Sequence, residues 1–455
     1  MKTALAKTRY LSAVVVLALG AAAFAIVFRG LLKWSFEKLT GASDVVTMFE
    51  VLPTWQRLAL PAAGGLISGL VALRMARTKQ GQGVGDVMEA VVLGRTHLSM
   101  KTTLLKSMGS WFAIVGGGSI GREGPLIQFG GSLGDWLGDV FRVAPDEERA
   151  LMAAGTAAGF AAAYNTPFAA VLFVLEVVTG VVALDAIVAS VIAAAIATIV
   201  TRAAIGGGPI YGARTFDMAS SNELIAYVAL GLCAALVAQG FMRLLSAGEA
   251  LFERSRLRQP WRAAAGGLLV GLIAILFPEV TGNGYEPINA ILDEKLTWTF
   301  VLALLAAKAM ATTASVSSGS PGGIFTPTLF IGAALGLCFH RTLELALGPV
   351  PLGSPGAYAL VGMATTTAAT THAPMMAAVL TFELSGDYAI VVPLLLATAA
   401  STLLSRALRA DSIYGAELRR RGLSWELTLD GRRVLVDSLR PTARDELPPK
   451  TTRPD

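Results

Sequence analysis

The sequence predicts an all-α polytopic membrane protein made of two related halves, and three observations carry that prediction. Of 455 residues, 54% are hydrophobic and only 15% charged, with a mean hydropathy of +0.61. Soluble domains carry about 25% charged residues, so this chain cannot cover a water-facing surface of its size. The charge-poor residues are gathered into successive apolar tracts. Three landmarks then return in the same order, 201 to 207 residues further on.

The first 25 residues, MKTALAKTRYLSAVVVLALGAAAFA, imitate a secretory signal, with a positive start, an apolar middle and a small-residue end. Ten further apolar tracts follow, so the segment reads as a first membrane helix, uncharged over 10–28. Another tract, AIVASVIAAAIATIVT at 186–201, lies between Asp185 and Arg202. The rest run near 58–73, 108–120, 150–175, 224–242, 263–277, 296–307, 322–339, 353–371 and 388–404. Several are shorter than the roughly 20 residues a bilayer crossing needs, and Gly or Pro interrupts many. Such segments suggest helices that end inside the membrane beside a cavity. The 48 glycines suit close helix packing in lipid.

Lys2, Lys7 and Arg9 precede the first tract, and Arg406, Arg409, Arg419, Arg420 and Arg421 follow the last. The positive-inside rule then puts both termini in the cytoplasm and makes the number of crossings even. The net charge of +5 belongs largely to the ends and implies no nucleic acid partner. Cys233 and Cys338 lie in apolar tracts and read as packing residues. His97, His340 and His372 have no metal-ligand spacing. No cofactor or metal is expected.

The duplication pairs Gly81-Gln82-Gly83-Val84 with Gly282-Asn283-Gly284-Tyr285, and Gly121-Arg122-Glu123-Gly124-Pro125 with Gly323-Ile324-Phe325-Thr326-Pro327. The third pair is GTAAGFAAAYNTPFAAVLFVLE (155–176) and GMATTTAATTHAPMMAAVLTFE (362–383). In both, Pro stands 12 residues after the first Gly and Glu 9 after the Pro. The expected organisation is a first repeat over 1–215, a second over 216–422 and a short polar tail over 423–455. An odd number of crossings per half would invert the second repeat. Inverted repeats place substrate near the midplane, at helix starts from both halves.

The shared G-x-[E/F]-x-P has the chemistry of a helix N-terminus. Glycine exposes backbone N–H groups, Pro in the first turn costs no hydrogen bond, and the dipole favours an anion. Two such ends facing each other would bind an anion without a full positive charge. Glu123 is a carboxylate at membrane depth, and such a group needs a partner or a function. One reading has it occupy the anion's place and leave when protonated; the other pairs it with Arg122. The stretch FAIVGGGSIGREGP (112–125) also contains a G-x-G-x-x-G at Gly116, Gly118 and Gly121, the dinucleotide fingerprint. Asp135 and Asp139 stand near the ribose-binding spacing but follow no second strand, and the second copy lacks the motif.

GREGPLIQFGGSLG (121–134), SSGSPGGIFTPTLFIGAALG (317–336), TPFAAVLFVLE (166–176) and DSIYGAELRRRG (411–422) resemble the CLC family of chloride channels and anion/proton exchangers. The resemblance runs from about residue 55 to 422. It implies a CLC-type fold of two inverted halves with many tilted and partial helices. It also implies a homodimer in the cell membrane, surrounded by lipid, with chloride or other small anions, and for exchangers protons, as the moving species. Glu123 matches the family's gating glutamate. Ile324 and Phe325 match residues whose N–H groups bind the central anion, flanked by Arg122, Gly124, Gly323 and Thr326. Tyr414 matches the tyrosine that contacts that anion from the intracellular side, and Gly81, Gln82, Gly83 and Val84 fall in the first filter segment.

Two departures matter. Gln82 stands where a serine is usual, and Gly85 where a proline is. Val177 follows Glu176 where exchangers commonly carry a second glutamate for internal proton transfer. An aliphatic side chain relays no proton, so the sequence favours a channel-like or weakly coupled transporter, with coupled exchange as the alternative. Glu176 and Glu383, at matching ends of repeated segments, read as structural acids. Lys308 reads as a snorkelling or paired lysine. A different class of activity rests on Gly130-Gly131-Ser132-Leu133-Gly134, a G-x-S-x-G with Ser132 as nucleophile and His372 as base. That Ser lies within a helix, and the duplication supplies no reason for a single nucleophile.

Overall fold

The computed structural model describes residues 2–75, 83–93, 97–180, 184–212, 214, 216, 218–348, 351–420, 423–428 and 431–436. Seven helices among them are long and apolar enough to cross a membrane. The chain opens with α1 (Lys2–Thr40), α2 (Val45–Val51) and α3 (Thr54–Met75). It continues through α4 (Val84–Leu93), α5 (Met100–Val115), α6 (Glu123–Phe141), α7 (Pro145–Tyr164), α8 (Pro167–Leu172) and α9 (Leu184–Ile205). Next come α10 (Glu223–Arg254), α11 (Trp261–Leu276), α12 (Tyr285–Leu292), α13 (Trp298–Ser317) and α14 (Phe325–Leu347). The helical part ends with α15 (Pro355–Thr371), α16 (Pro374–Ser385), α17 (Val391–Leu408) and α18 (Ile413–Arg420).

The signal-like start is an integral helix. Ala13, Val14, Leu17 and Ala18 of α1 are fully buried, and α1 packs on α6, α7 and α9. From α4 onward each landmark of the sequence opens or closes matching helices. Gly83 and Gly284, with φ of 98° and 96°, precede α4 and α12. Asn165 and His372, with φ of 60° and 59°, end α7 and α15, each donating its N–H four residues back, to Ala161 O and Ala368 O. Pro167 and Pro374 then start α8 and α16, where a missing N–H costs nothing.

Helix contacts repeat as well. Gly130 of α6 and Gly155 of α7 bring two backbones so close that a β-carbon on either would strike the other's carbonyl, and Gly332 of α14 with Gly362 of α15 do the same. In lipid there is no hydrophobic force between helices, so backbone-level van der Waals contact holds such pairs together. Large apolar side chains such as Ile199, Leu276 and Leu403 stay exposed on outward faces. Exposed Trp55, Trp261 and Trp298 stand at or next to the first residues of α3, α11 and α13, as interfacial anchors do.

Two local features depart from the sequence reading. α8 continues as a π-helical turn, Phe173–Thr179, which ends at Gly180 with φ of 67°. The expected polar tail begins as an antiparallel hairpin of β1 (Leu423–Thr428) and β2 (Gly431–Val436), with Leu423 opposite Val436 and Trp425 opposite Val434. The period-two alternation of LSWELT is strand chemistry that a polar composition hides.

Candidate functional site

The two G-x-[E/F]-x-P loops meet. Gly121 N donates to Gly323 O at 2.7 Å and Gly323 N to Gly121 O at 2.9 Å, an antiparallel bridge between the copies. Each loop then turns into its helix, with Glu123 the first residue of α6 and Phe325 the first of α14. The Glu123 side chain reaches across to the other helix start. Its Oε1 accepts from the N–H groups of Phe325 and Thr326, both at 3.1 Å, and its Oε2 accepts from the Thr326 hydroxyl at 3.1 Å. A carboxylate that is 2% exposed therefore sits on the N-terminus of the other half's helix. Burying it costs several kcal/mol by itself. Free N–H groups and the positive dipole end offset that cost. A β-carbon on Gly121 or Gly323 would collide with this carboxylate, which gives both motif glycines a steric reason.

A cavity of about 380 Å³ opens beside this contact, among α4, α10, α14 and α18. Of the residues expected at an anion pathway, Gly83, Val84, Glu123, Gly124, Gly323, Ile324, Phe325 and Tyr414 line it. Thr326 is engaged with Glu123 one step behind the wall. Arg122 takes neither expected position: it makes no ion pair with Glu123, and its guanidinium lies 4.8 Å over the Tyr285 ring. The turn at the head of α6 sends adjacent side chains in different directions. Gly81 and Gln82 lie outside the described residues. The Tyr414 ring meets Phe173 edge-on, with centroids 6.4 Å apart.

Several residues here were not foreseen. Tyr164 Oη lies 2.9 Å from Thr326 Oγ1, which extends the Glu123 contact into an aromatic group of Phe160, Phe173 and Phe325. The duplication gave no signal for it, because its counterpart is Thr371. Glu417 lines the cavity; it follows Tyr414 by three residues, a spacing that puts both on one helix face. Glu249 and Arg409 line the cavity too.

Around the site the two halves cap each other. Glu176 accepts from the N–H groups of Met375 and Met376 at 3.2 and 2.7 Å, at the start of α16. Glu383 accepts from Phe168 and Ala169 at 3.1 and 2.8 Å, at the start of α8. Both acids are therefore structural partners of backbone. Val177, beside Glu176, is buried and does not reach the cavity wall. Lys308 is fully buried and donates to Val280 O and Gly282 O, both at 2.9 Å. Its equivalent 202 residues earlier is Lys106, equally buried and paired with Asp86 of α4. These lysines form a fourth repeated landmark that sequence inspection missed.

The other chemistries are not assembled. The Ser132 hydroxyl faces Thr103 Oγ1 at 2.6 Å between α5 and α6, while His372 Nε2 lies 3.4 Å from Ser405 Oγ. The G-x-G-x-x-G loop is filled by the second half: Gly118 O accepts from Gly282 N–H, and Gly121 is bridged to Gly323. His97, Asp135 and Glu148 are the group whose ligand atoms converge enough to hold a metal among the described residues. Asp135 already accepts from Leu98 N–H at 2.8 Å and approaches His97 at 3.3 Å, which ties the start of α5 to α6.

Comparison with known proteins agrees with this geometry. The family model described as "Voltage gated chloride channel" matches residues 64–406. A ClcB-like protein of Ralstonia nicotianae is 39% identical over 401 residues, covering 87% of this chain and 93% of that protein. The voltage-gated ClC-type chloride channel ClcB of Salmonella typhi is 35% identical over 394 residues, covering 84% and 92%. The crystal structure of a slow cyanobacterial Cl⁻/H⁺ antiporter superposes with a TM-score of 0.81 at 25% identity, covering 91% of this chain and 98% of that one. A CLC-type fluoride/proton antiporter gives a TM-score of 0.74 at 22% identity, covering 89% and 97%. With a matching family model, close relatives along most of its length and a CLC fold, the chain belongs to the voltage-gated chloride channel (CLC) family.

Proposed function

We propose that this protein moves chloride or a similar small anion across the cell membrane, and that Glu123 gates the pathway. The observation that carries the reading is the Glu123 carboxylate on the N–H groups of Phe325 and Thr326. A protein anion there occupies the place a permeant anion would take. Protonation removes the charge that holds it on the helix end, so low external pH raises flux. Ile324, Phe325 and Tyr414 would line the occupied site, and Gly81 to Val84 would contribute from the α4 side, with the Gln82 amide as donor. Arg122 would act through its place beside the gate and over Tyr285.

Repeats over 1–215 and 216–422, the second inverted, fit the bridge of Gly121 to Gly323 and the matched helix caps. Both termini are assigned to the cytoplasm from the flanking arginines and lysines. The chain works as a homodimer with one pathway per subunit. The names of the ClcB relatives and the apolar Val177 support channel-like or weakly proton-coupled conduction. Coupled exchange is the second reading, favoured by the likeness to the cyanobacterial Cl⁻/H⁺ antiporter.

The test uses purified protein in chloride-loaded liposomes, with chloride and external pH recorded together under an imposed proton gradient. Uphill chloride movement indicates exchange; purely downhill movement indicates conduction. Glu123→Gln should abolish the response to external pH. An unchanged response would refute the gate, and absence of chloride flux with an ionophore present would refute chloride as the substrate.

A further inference from the structure

We propose that Glu417 is a second tethered carboxylate of the pathway, held by α18 at the start of α4 and competing there with anions arriving from the side of the C-terminus. The inference rests on the anion-conduction reading. Glu417 lines the same cavity as Glu123 and Tyr414, and Tyr414 and Glu417 share one face of α18 by their spacing of three. Its carboxylate is turned to the first turn of α4. A β-carbon built on Gly85 would lie 3.2 Å from Glu417 Cδ and Oε2 and 3.3 Å from Oε1, so both oxygens face this turn at equal range. Gly85 is the second residue of α4, and the absence of a side chain leaves the backbone open to the carboxylate.

The arrangement parallels that of Glu123. In each case a side chain from one helix lays its carboxylate at the start of another, where partial positive charge would also attract a free anion. The two tethers differ in depth. Glu123 is buried and closes three hydrogen bonds, whereas Glu417 is half-buried in the cavity lining. Glu249 of α10 and Arg409 also line the cavity, and Asp411 pairs with Arg419 of α18 at 2.9 Å. Glu417 therefore adds negative charge where an incoming anion first meets α4, and sets how much anion is needed to compete.

The experiment is chloride flux in oriented planar bilayers, with chloride varied on one side at a time. Glu417→Gln should lower the chloride concentration for half-maximal flux from the C-terminal side by about threefold to tenfold. It should leave the value from the other side unaltered. In Glu417→Cys, the anionic sulfonatoethyl methanethiosulfonate adduct should restore the wild-type value, and the cationic trimethylammonium adduct should fall below the Gln value. Wild-type protein treated with both reagents controls for Cys233 and Cys338. Equal half-saturation in wild type, Gln and both adducts would overturn the proposal while conduction and the Glu123 response survive. Failure of every Glu417 variant to fold would overturn it by making the residue structural. Wild-type protein that carries no chloride would instead remove the conduction reading on which it rests.

Discussion

The loops that open α6 and α14 are joined by a two-way backbone bridge and turn into their helices in the same way. They differ at the first helical residue, which is Glu123 in one and Phe325 in the other. The first loop supplies a side-chain anion; the second supplies the N–H groups that receive it. The two helix ends share a backbone path, and divergence within the motif, Glu123 against Phe325 and Gly124 against Thr326, made one of them the occupant and the other the host. The pair shows how a symmetric frame can yield a directional site without altering the backbone.

The largest effect should come from erasing the difference. Phe325→Glu places a second carboxylate against Glu123 in a buried site, a cost of about 3–5 kcal/mol for an unpaired buried charge. The expected result is loss of monodisperse protein in size-exclusion chromatography; a well-folded variant would show that the host end tolerates charge. Gly323→Ala should come next, at about 1–3 kcal/mol of stability, because its methyl group collides with the Glu123 carboxylate. The double variant Glu123→Ala/Gly323→Ala should recover most of that loss of melting temperature. A double variant as unstable as Gly323→Ala alone would place the clash elsewhere.

The smallest and most symmetric effect concerns the outer caps. Glu176→Gln and Glu383→Gln each weaken two hydrogen bonds to backbone N–H groups, at about 0.5–1.5 kcal/mol per variant. Their melting temperatures should fall by similar amounts, with the pH response of flux retained. A fall for one and not the other would mean that the halves have diverged in their supports as well as at the gate.

Much of this was legible in the sequence because it repeats. Gly121 and Gly323 announced the facing helix starts, and the twelve-residue Gly-to-Pro spacing announced the duplication to which the α7–α8 and α15–α16 corners belong. What repetition could not reveal were contacts made once. Tyr164 reaches Thr326 from a position whose counterpart is a threonine, and Glu417 belongs to α18, which follows the repeated helices. The direction of a side chain was also beyond reach. Arg122 adjoins Glu123 in sequence, yet it turns to Tyr285. Lys106 and Lys308 were missed for another reason: their spacing repeats, but a lone lysine in an apolar tract reads as an exception rather than a pattern.

The exchange of caps between Glu176 and Glu383 also orders the events of synthesis. When α8 enters the membrane, the carboxylate that completes its first turn lies more than two hundred residues downstream on the message and has not been translated. Phe168 and Ala169 must wait for residue 383 of 455. The early half is thus inserted with an unfinished helix end, two backbone N–H groups short of their protein partner. Final consolidation of the N-terminal part is consequently a late, near-terminal step of biogenesis, and chains that stall before α16 should be the ones a membrane protease recognises.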